Sequence, residues 1–152
     1  MKVMVGGTFD PLHDGHKHLL TRSFEVAGPA GHVTIGLTSD AFASRKNHPV
    51  RQFALRQAEL ERFISSTIPS THWDIEPLND RYGSALEADF DALIVSEETL
   101  PAAIEINKLR RDNGKKKVDI HQISCVLAED GRWISSTRIY RHEIDVHGHL
   151  LH

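Results

Sequence analysis

Residues 2–16, KVMVGGTFDPLHDGH, join a short apolar run to a loop that is rich in glycine and histidine. The run 2–5 predicts a strand, and a helix is expected from about His16 to Ala27, where Leu20, Phe24 and Ala27 share one face. Glycine lets a backbone approach an anion closely, and the first N–H groups of a helix are free to bind one. This stretch therefore predicts a strand, an anion-binding loop and a helix.

Short apolar runs alternate with longer amphipathic segments along the rest of the chain. Further strands are predicted at 32–38, 71–78, 91–96 and 117–123, and further helices at 52–66, at 100–114 and from Ser136 onward. This alternation is typical of β-α units around a parallel sheet. The predicted fold class is α/β, a Rossmann-like doubly wound sheet of five mainly parallel strands with helices on both faces. Such sheets bind ligands at the carboxyl ends of the strands.

Composition narrows the classes of function. The 152 residues, 39% of them hydrophobic, suit one domain over 1–152. A net charge of −3 provides no global positive field for nucleic acid, and the basic run 107–117 is interpreted as solvated surface. The single cysteine, Cys125, cannot form an internal disulfide. No signal peptide and no bilayer-spanning apolar run are recognised, so we expect a cytoplasmic protein without a membrane partner.

The loop at 6–16 matches no common nucleotide-binding fingerprint. It contains neither Gly-x-Gly-x-x-Gly nor a Walker sequence ending in Gly-Lys-Ser/Thr. His13 and His16 flank a bend, so their imidazoles can converge on one point. A third metal ligand at suitable spacing is missing, so we expect no metal site here. Donating hydrogen bonds to polyphosphate oxygens suits the two imidazoles better.

A second polar segment, ISSTR at 134–138, stands at the predicted start of the last helix. Ser135, Ser136 and Thr137 would offer hydroxyl and backbone donors to β- and γ-phosphates, and Arg138 would add a planar cation. Alone, this segment is better explained as a helix cap, which needs one hydroxyl. Together with the loop at 6–16, phosphate binding becomes the better interpretation.

HDGH after GGTFDPL, followed later by ISSTR, resembles the two signatures of the nucleotidyltransferase superfamily. Its members transfer a nucleotide from a nucleoside triphosphate to a phosphate and release pyrophosphate. Segments 38–60 and 95–114 resemble the archaeal and eukaryotic phosphopantetheine adenylyltransferases, so the resemblance covers most of the chain. The first histidine of HDGH, His13, agrees with that branch, because bacterial members have another residue there.

The resemblance implies that ATP and 4′-phosphopantetheine give dephospho-coenzyme A and pyrophosphate, with coenzyme A as a further candidate ligand. It implies that Thr8 and Lys46 hold the acceptor phosphate and that His16 steadies the α-phosphate under attack. The implied catalytic residues are His13, His16, Lys46 and Arg138. The implied ATP-binding residues are Gly7, Thr8, Phe9, His13, Gly15, His16, Ser135, Ser136, Thr137 and Arg138.

Phosphoryl chemistry agrees with this set. A phosphate monoester is an adequate nucleophile at neutral pH, so donors and cations suffice and no strong base is needed. Arg45, Arg51 and Arg56 accompany Lys46 in sequence, and at least two of these arginines are expected to be solvated. Mg²⁺ is expected to arrive on ATP and leave on pyrophosphate, so Asp10 is not required as a metal ligand.

Two other functions remain open from the sequence. One keeps the triphosphate site but uses nicotinamide mononucleotide, flavin mononucleotide or an alcohol phosphate as acceptor. The other is a catalytically silent nucleotide-binding module with a regulatory role. Asn107 and Arg110, on one helical face, are candidates for a role near the nucleotide. Residues 142–152 are expected to form a solvated tail.

Overall fold

The computed structural model describes residues 1–46, 48–68 and 72–151. Their strands form one sheet of five, all parallel, in the order β3-β2-β1-β4-β5. The predicted α/β fold is confirmed, and the sheet is parallel throughout. The strands are β1 Lys2–Gly7, β2 His32–Thr38, β3 His72–Leu78, β4 Ala92–Val95 and β5 Asp119–Gln122. Thr71, where the third strand was predicted to start, lies outside the described residues.

The helices follow the predicted pattern, with additions. They are α1 Asp14–Ala27, α2 Asp40–Ala43, α3 Phe53–Thr67, α4 Leu100–Asp112, α5 Ser136–Tyr140 and a 3₁₀ turn at Gly83–Leu86. The sequence analysis did not predict α2 or the 3₁₀ turn, because segments of four residues are too short to show an apolar periodicity.

The core lies on both faces of the sheet. Val3 and Val5 of β1 pack on one face with α1 and α3, whereas Met4 packs on the other face with α4. This alternation follows from the two-residue period of a strand. Helices therefore cover both faces, as predicted for a doubly wound sheet.

The position of β1 at the centre of the sheet determines where a ligand can bind. From β1 the chain adds β2 and β3 on one side and then crosses over to add β4 and β5 on the other. The loops after β1 and β4 therefore diverge and leave a crevice at the carboxyl ends of these two strands. The loop that holds the first motif, 8–13, lies at this crevice.

Residues 142–152 are not a solvated tail over the part that the structure describes. Ile144 is fully buried in a small cluster with Ala128 and Ile134, and it forms an antiparallel bridge with Leu150. This prediction was wrong because the apolar positions are scattered among histidines and a glycine. No helix in the described residues has the length and apolarity to cross a membrane.

Candidate active site

The two motif histidines cap the helix that follows them. His13 is the N-cap of α1, and its Nδ1 accepts a hydrogen bond from the backbone N–H of His16 at 3.2 Å. His16 Nδ1 accepts in turn from the backbone N–H of His13 at 3.4 Å. This is a capping box built from imidazoles instead of the usual Ser and Glu. Helix α1 therefore begins at Asp14, two residues before the predicted start.

This arrangement determines the protonation of both rings. Because each Nδ1 accepts a hydrogen bond, the proton of each neutral ring is on Nε2. The rings stack with centroids 3.6 Å apart and planes inclined by 15°. Burial lowers the pKa of His13 to about 4, against the opposing effect of Asp14. Burial chiefly, and then the neighbouring His13 and Lys46, lower the pKa of His16 well below its usual value, against the opposing effect of the Pro11 carbonyl. Two neutral Nε2–H donors therefore lie side by side.

Gly15 has a steric role beside this pair. A Cβ at Gly15 would lie 2.9 Å from Cε1 of His13, closer than ordinary van der Waals contact. Glycine is thus required for the ring to occupy its capping position. Phe9, with a φ of 51° and an exposure of 1%, places its ring centroid 5.1 Å from that of His16. Phe9 therefore has an unfavourable backbone conformation at the point where its ring packs against His16.

A cavity of about 270 Å³ lies at the carboxyl end of β1 and brings most of the predicted residues together. The two motifs, distant in sequence, therefore line the same cavity. Among the residues that line it are Gly7, Thr8, Phe9, His13, Gly15, His16, Lys46, Ser135, Ser136 and Thr137.

A second cavity, of about 280 Å³, adjoins the first. Thr8 and Lys46 line both, so they lie where the two meet. The lining of the second cavity is largely apolar, with Leu78, Tyr82, Pro101, Ala103 and Ile106, and it also includes the charged residues Glu76, Asp80 and Arg81. A slender ligand can therefore extend from a phosphate at Lys46 along a mostly apolar surface. A larger depression, of about 690 Å³, is lined by residues at the amino ends of β1, β2 and β5, away from both motifs.

Arg138 is the predicted residue that the structure places apart. Its guanidinium donates to Glu143 at 3.1 Å and to Asp130, and its side chain is 11% exposed. The arginine lines an adjoining depression with Ser135 and Arg132, beside the cavity of the two histidines. The hydrogen bonds from Arg138 lower the pKa of Asp130 to about 2. Contact between Arg138 and a phosphate remains a prediction.

A buried carboxylate connects the segments of the site. Asp10 is 1% exposed and accepts hydrogen bonds from the backbone N–H of Arg51 at 2.9 Å, from the Arg51 side chain and from the Tyr140 hydroxyl. Burial alone would raise the pKa of Asp10, but these donors outweigh it and hold the pKa below its ordinary value. Burial and the same hydrogen bond raise the pKa of Tyr140 to about 12. Asp10 is thus a structural anion that joins the first loop, the segment after α2 and α5.

Of the three arginines near Lys46, two are solvent-exposed, as expected, and the third is buried. Arg56 is fully buried and donates to the carbonyl of Thr8 at 3.2 Å and to the hydroxyl of Thr38 at 3.1 Å. It also pairs with Asp40 at 3.1 Å. Arg56 therefore stabilises the loop after β1 by its hydrogen bond to the Thr8 carbonyl. The sequence did not indicate this role, because it left open which of the three arginines is buried.

Asn107 and Arg110 do not approach the crevice. The Asn107 amide pairs in both directions with the backbone of Val118, at 2.9 and 2.8 Å. Arg110 is 2% exposed and donates to the carbonyls of Lys116, Ala85 and Ala88. The suggestion that these residues act near the nucleotide was wrong: Asn107 satisfies the backbone just before β5, and Arg110 satisfies carbonyls there and at the 3₁₀ turn.

No cluster of three or more His, Cys, Asp or Glu side chains in the described residues is arranged to hold a metal ion. Glu98 is a carboxylate in the walls of both cavities, whereas Asp10 is occupied by Arg51 and Tyr140. This donor set is compatible with a magnesium ion held mainly by phosphate oxygens and water. Glu98 and His48 also line the first cavity, and the sequence analysis identified neither of them.

Comparison with known proteins agrees with the geometry. A family model described as cytidylyltransferase-like matches residues 4–142. The chain is thus a nucleotidyltransferase of the cytidylyltransferase-like class.

Similarity to individual proteins is more specific. The chain is 48% identical over 150 residues to the phosphopantetheine adenylyltransferase of Methanosarcina mazei, covering 98% of this chain and 96% of the relative. It is 40% identical over 151 residues to that of Archaeoglobus fulgidus, covering 99% and 100%. A solved structure from Archaeoglobus fulgidus, described as a protein with unknown function, matches with a TM-score of 0.75 and 37% identity, covering 81% of this chain and 89% of that one. The chain belongs to the phosphopantetheine adenylyltransferase family.

Proposed function

We propose that this protein transfers the adenylyl group of ATP to 4′-phosphopantetheine, giving dephospho-coenzyme A and pyrophosphate. The observation that carries this proposal is the junction of two cavities at Thr8 and Lys46. One cavity offers the neutral donors of His13 and His16. The other offers a largely apolar wall suited to an extended pantetheine arm. Relatives that carry this activity in their names support the choice of acceptor.

The residues suit an in-line displacement. A phosphate oxygen of the acceptor, held at Thr8 and Lys46, attacks the α-phosphorus of ATP. The bond from the α-phosphorus to the oxygen that bridges to the β-phosphate breaks, and that oxygen leaves with pyrophosphate. His16 donates its Nε2–H to an α-phosphate oxygen, and His13 and residues 135–138 hold the rest of the triphosphate. Donors placed for the transition state lower the barrier without any proton transfer.

Magnesium, when bound, neutralises charge on the triphosphate and the departing pyrophosphate. Glu98, in the walls of both cavities, would be a carboxylate of this chain available to help hold it. The other residues of the site bind and orient the substrates. The neutral imidazoles of His13 and His16 donate hydrogen bonds whether or not the metal is bound.

An acceptor screen tests the proposal. Purified protein is supplied with Mg-ATP and 4′-phosphopantetheine, and pyrophosphate and dephospho-coenzyme A are quantified. Parallel reactions contain nicotinamide mononucleotide, flavin mononucleotide or glycerol phosphate. Formation of dephospho-coenzyme A in amounts equal to pyrophosphate is expected. Turnover of another acceptor alone would overturn the choice of substrate, and ATP binding without any turnover would favour the silent module.

A further inference from the structure

A third histidine, His48, lies in the wall of the cavity that also contains His13 and His16. We propose that His48 binds a phosphate of the nucleotide through Nε2 as an imidazolium, and that it takes up a proton when the triphosphate enters. This inference rests on the proposed function only in naming a nucleoside triphosphate as the ligand. It gives His48 a binding role different in chemistry from that of the two motif histidines.

The hydrogen bonds of His48 determine where its proton lies. Nδ1 of His48 is 2.9 Å from the carbonyl oxygen of Pro49. Because a carbonyl can only accept, Nδ1 must donate, and the neutral ring has a lone pair on Nε2. His13 and His16 show the opposite arrangement, since their Nδ1 atoms accept. A neutral His48 would therefore turn a lone pair towards phosphate oxygens, whereas a protonated one donates to them.

The ring of Tyr140 provides a surface that favours the charged form of the His48 imidazole. The rings of His48 and Tyr140 stack with centroids 4.7 Å apart and planes inclined by 15°. The Tyr140 hydroxyl donates to the carboxylate of Asp10, which leaves the ring richer in electrons. The face of such a ring attracts a cation.

The other charges around His48 explain why its proton should arrive with the ligand. Lys46 lines the same cavity and opposes a second cation, and His13 and His16 are neutral donors there. Arg51 and Asp10 pair with each other behind Tyr140. Glu98 also lines this cavity and contributes one negative charge, whereas Asp10 is already held by Arg51 and Tyr140. A triphosphate adds several more negative charges beside His48, and these favour its imidazolium form. Binding of the anion and uptake of the proton are therefore linked.

The position of His48 indicates that it contacts the nucleotide and not the acceptor. His48 lines the cavity formed with Ser135, Ser136 and Thr137 and is absent from the apolar wall of the second cavity. Loss of His48 is therefore expected to weaken binding of ATP and to leave the KM for 4′-phosphopantetheine nearly unchanged.

Calorimetric titration of Mg-ATP without acceptor tests the proposal directly. Repeating the titration near pH 7.5 in buffers with different ionisation enthalpies gives the number of protons taken up. Wild-type protein is expected to take up a fraction of one proton. His48→Asn removes Nε2 and should abolish this uptake and weaken binding about tenfold, the order of one charge-assisted hydrogen bond. His48→Gln, with a neutral donor near the position of Nε2, should recover part of the affinity without the uptake.

His18→Asn is the matched control, because His18 is exposed on the same chain and outside both cavities. Circular dichroism and thermal melts check that each variant is folded. Wild-type binding without proton uptake, unchanged uptake in His48→Asn, or an effect confined to the KM of the acceptor would each overturn the proposal. Since the titration contains no acceptor, failure of the adenylyl transfer would leave this result intact, and the two failures are distinguishable.

Discussion

The Tyr140 hydroxyl donates a hydrogen bond to the buried carboxylate of Asp10, between residues 130 positions apart in the chain. Asp10 belongs to the first loop, and Tyr140 is the last residue of α5, which begins at Ser136. The same carboxylate accepts from Arg51, five residues after Lys46. One buried anion therefore fixes the relative positions of three segments that together line the cavity.

A double-mutant cycle on Asp10→Asn and Tyr140→Phe measures this connection. Hydrogen bonds to a charged group contribute roughly 1.5–3 kcal/mol, and we expect a coupling energy in that range from urea unfolding. Tyr82→Phe, which removes a hydroxyl bonded to Glu105 at a partly exposed site, is the control and should change stability little. A coupling energy near zero would show that Asp10 and Tyr140 act independently.

His16→Ala is expected to lower turnover by on the order of 10²- to 10³-fold, as for the loss of one donor placed for the transition state. The KM for ATP should change much less, because the donor acts chiefly on the reacting α-phosphate. Steady-state kinetics at saturating acceptor separate the two constants. His18→Ala, on the same helix but outside the cavity, should remain close to wild type. Near-normal turnover of His16→Ala would exclude the role assigned to this ring.

Gly15→Ala should reduce activity without a matching loss of stability. The new methyl group would meet the His13 ring at 2.9 Å and turn it away from its capping position. Alanine is favoured over glycine in a helix by about 1 kcal/mol, which offsets part of the lost cap. We expect turnover to fall at least tenfold while the free energy of unfolding changes by less than about 1 kcal/mol. Activity and stability that fall together would argue against this steric explanation.

Stability should decrease as the pH falls from about 7 towards 5. The pKa of His13 is about 4 in the folded protein and near the ordinary value of 6.5 when unfolded, so the unfolded chain binds more protons in this window. Burial lowers the pKa of His16 in the same direction. His13 alone should account for roughly 2 kcal/mol between pH 7 and 5. His13→Asn keeps a capping side chain that does not titrate. Between pH 7 and 5 its free energy of unfolding should therefore fall by about 2 kcal/mol less than that of the wild type. An equal fall in both proteins would refute the assignment to His13.

Arg138→Lys tests whether the ISSTR arginine reaches the triphosphate. A lysine keeps the charge but loses the planar pair of donors, so the KM for ATP should rise about tenfold if Arg138 contacts phosphate. Arg132→Lys is the matched control, since Arg132 shares Asp130 and Glu143 with Arg138 but is 69% exposed. Kinetics with ATP as the varied substrate distinguish the two. Equal, small effects would limit Arg138 to pairing with Asp130 and Glu143.

The sheet and its helices were predictable because their apolar patterns are local. The segment 100–114 contains enough residues to show a helical period, and the run 2–5 is marked by its apolar residues and the glycines that follow it; the structure has a helix and a strand there. The start of α1 was misplaced, because histidine is not a usual N-cap and the reciprocal bonds of His13 and His16 depend on ring orientation.

The walls of the cavity were predictable where a motif marked them or where the family resemblance implied a role, as for Lys46. His13, His16 and Ser135 belong to recognisable motifs, whereas His48 belongs to none and is brought to the cavity by stacking on Tyr140. Arg56 was missed for a related reason: its burial depends on carbonyl and hydroxyl acceptors from Thr8 and Thr38, which only the packed fold brings together.

The link between Asp10 and Tyr140 also sets an order of events during synthesis. The reciprocal hydrogen bonds of His13 and His16 join residues only three positions apart, so both partners leave the ribosome early in synthesis. The cavity wall near Ser135 is added last, because α5 docks through a contact of very long sequence separation, the kind that forms slowly. A nascent chain that ends before Tyr140 would therefore contain the loop of His13 and His16 without the docked α5 that completes the cavity.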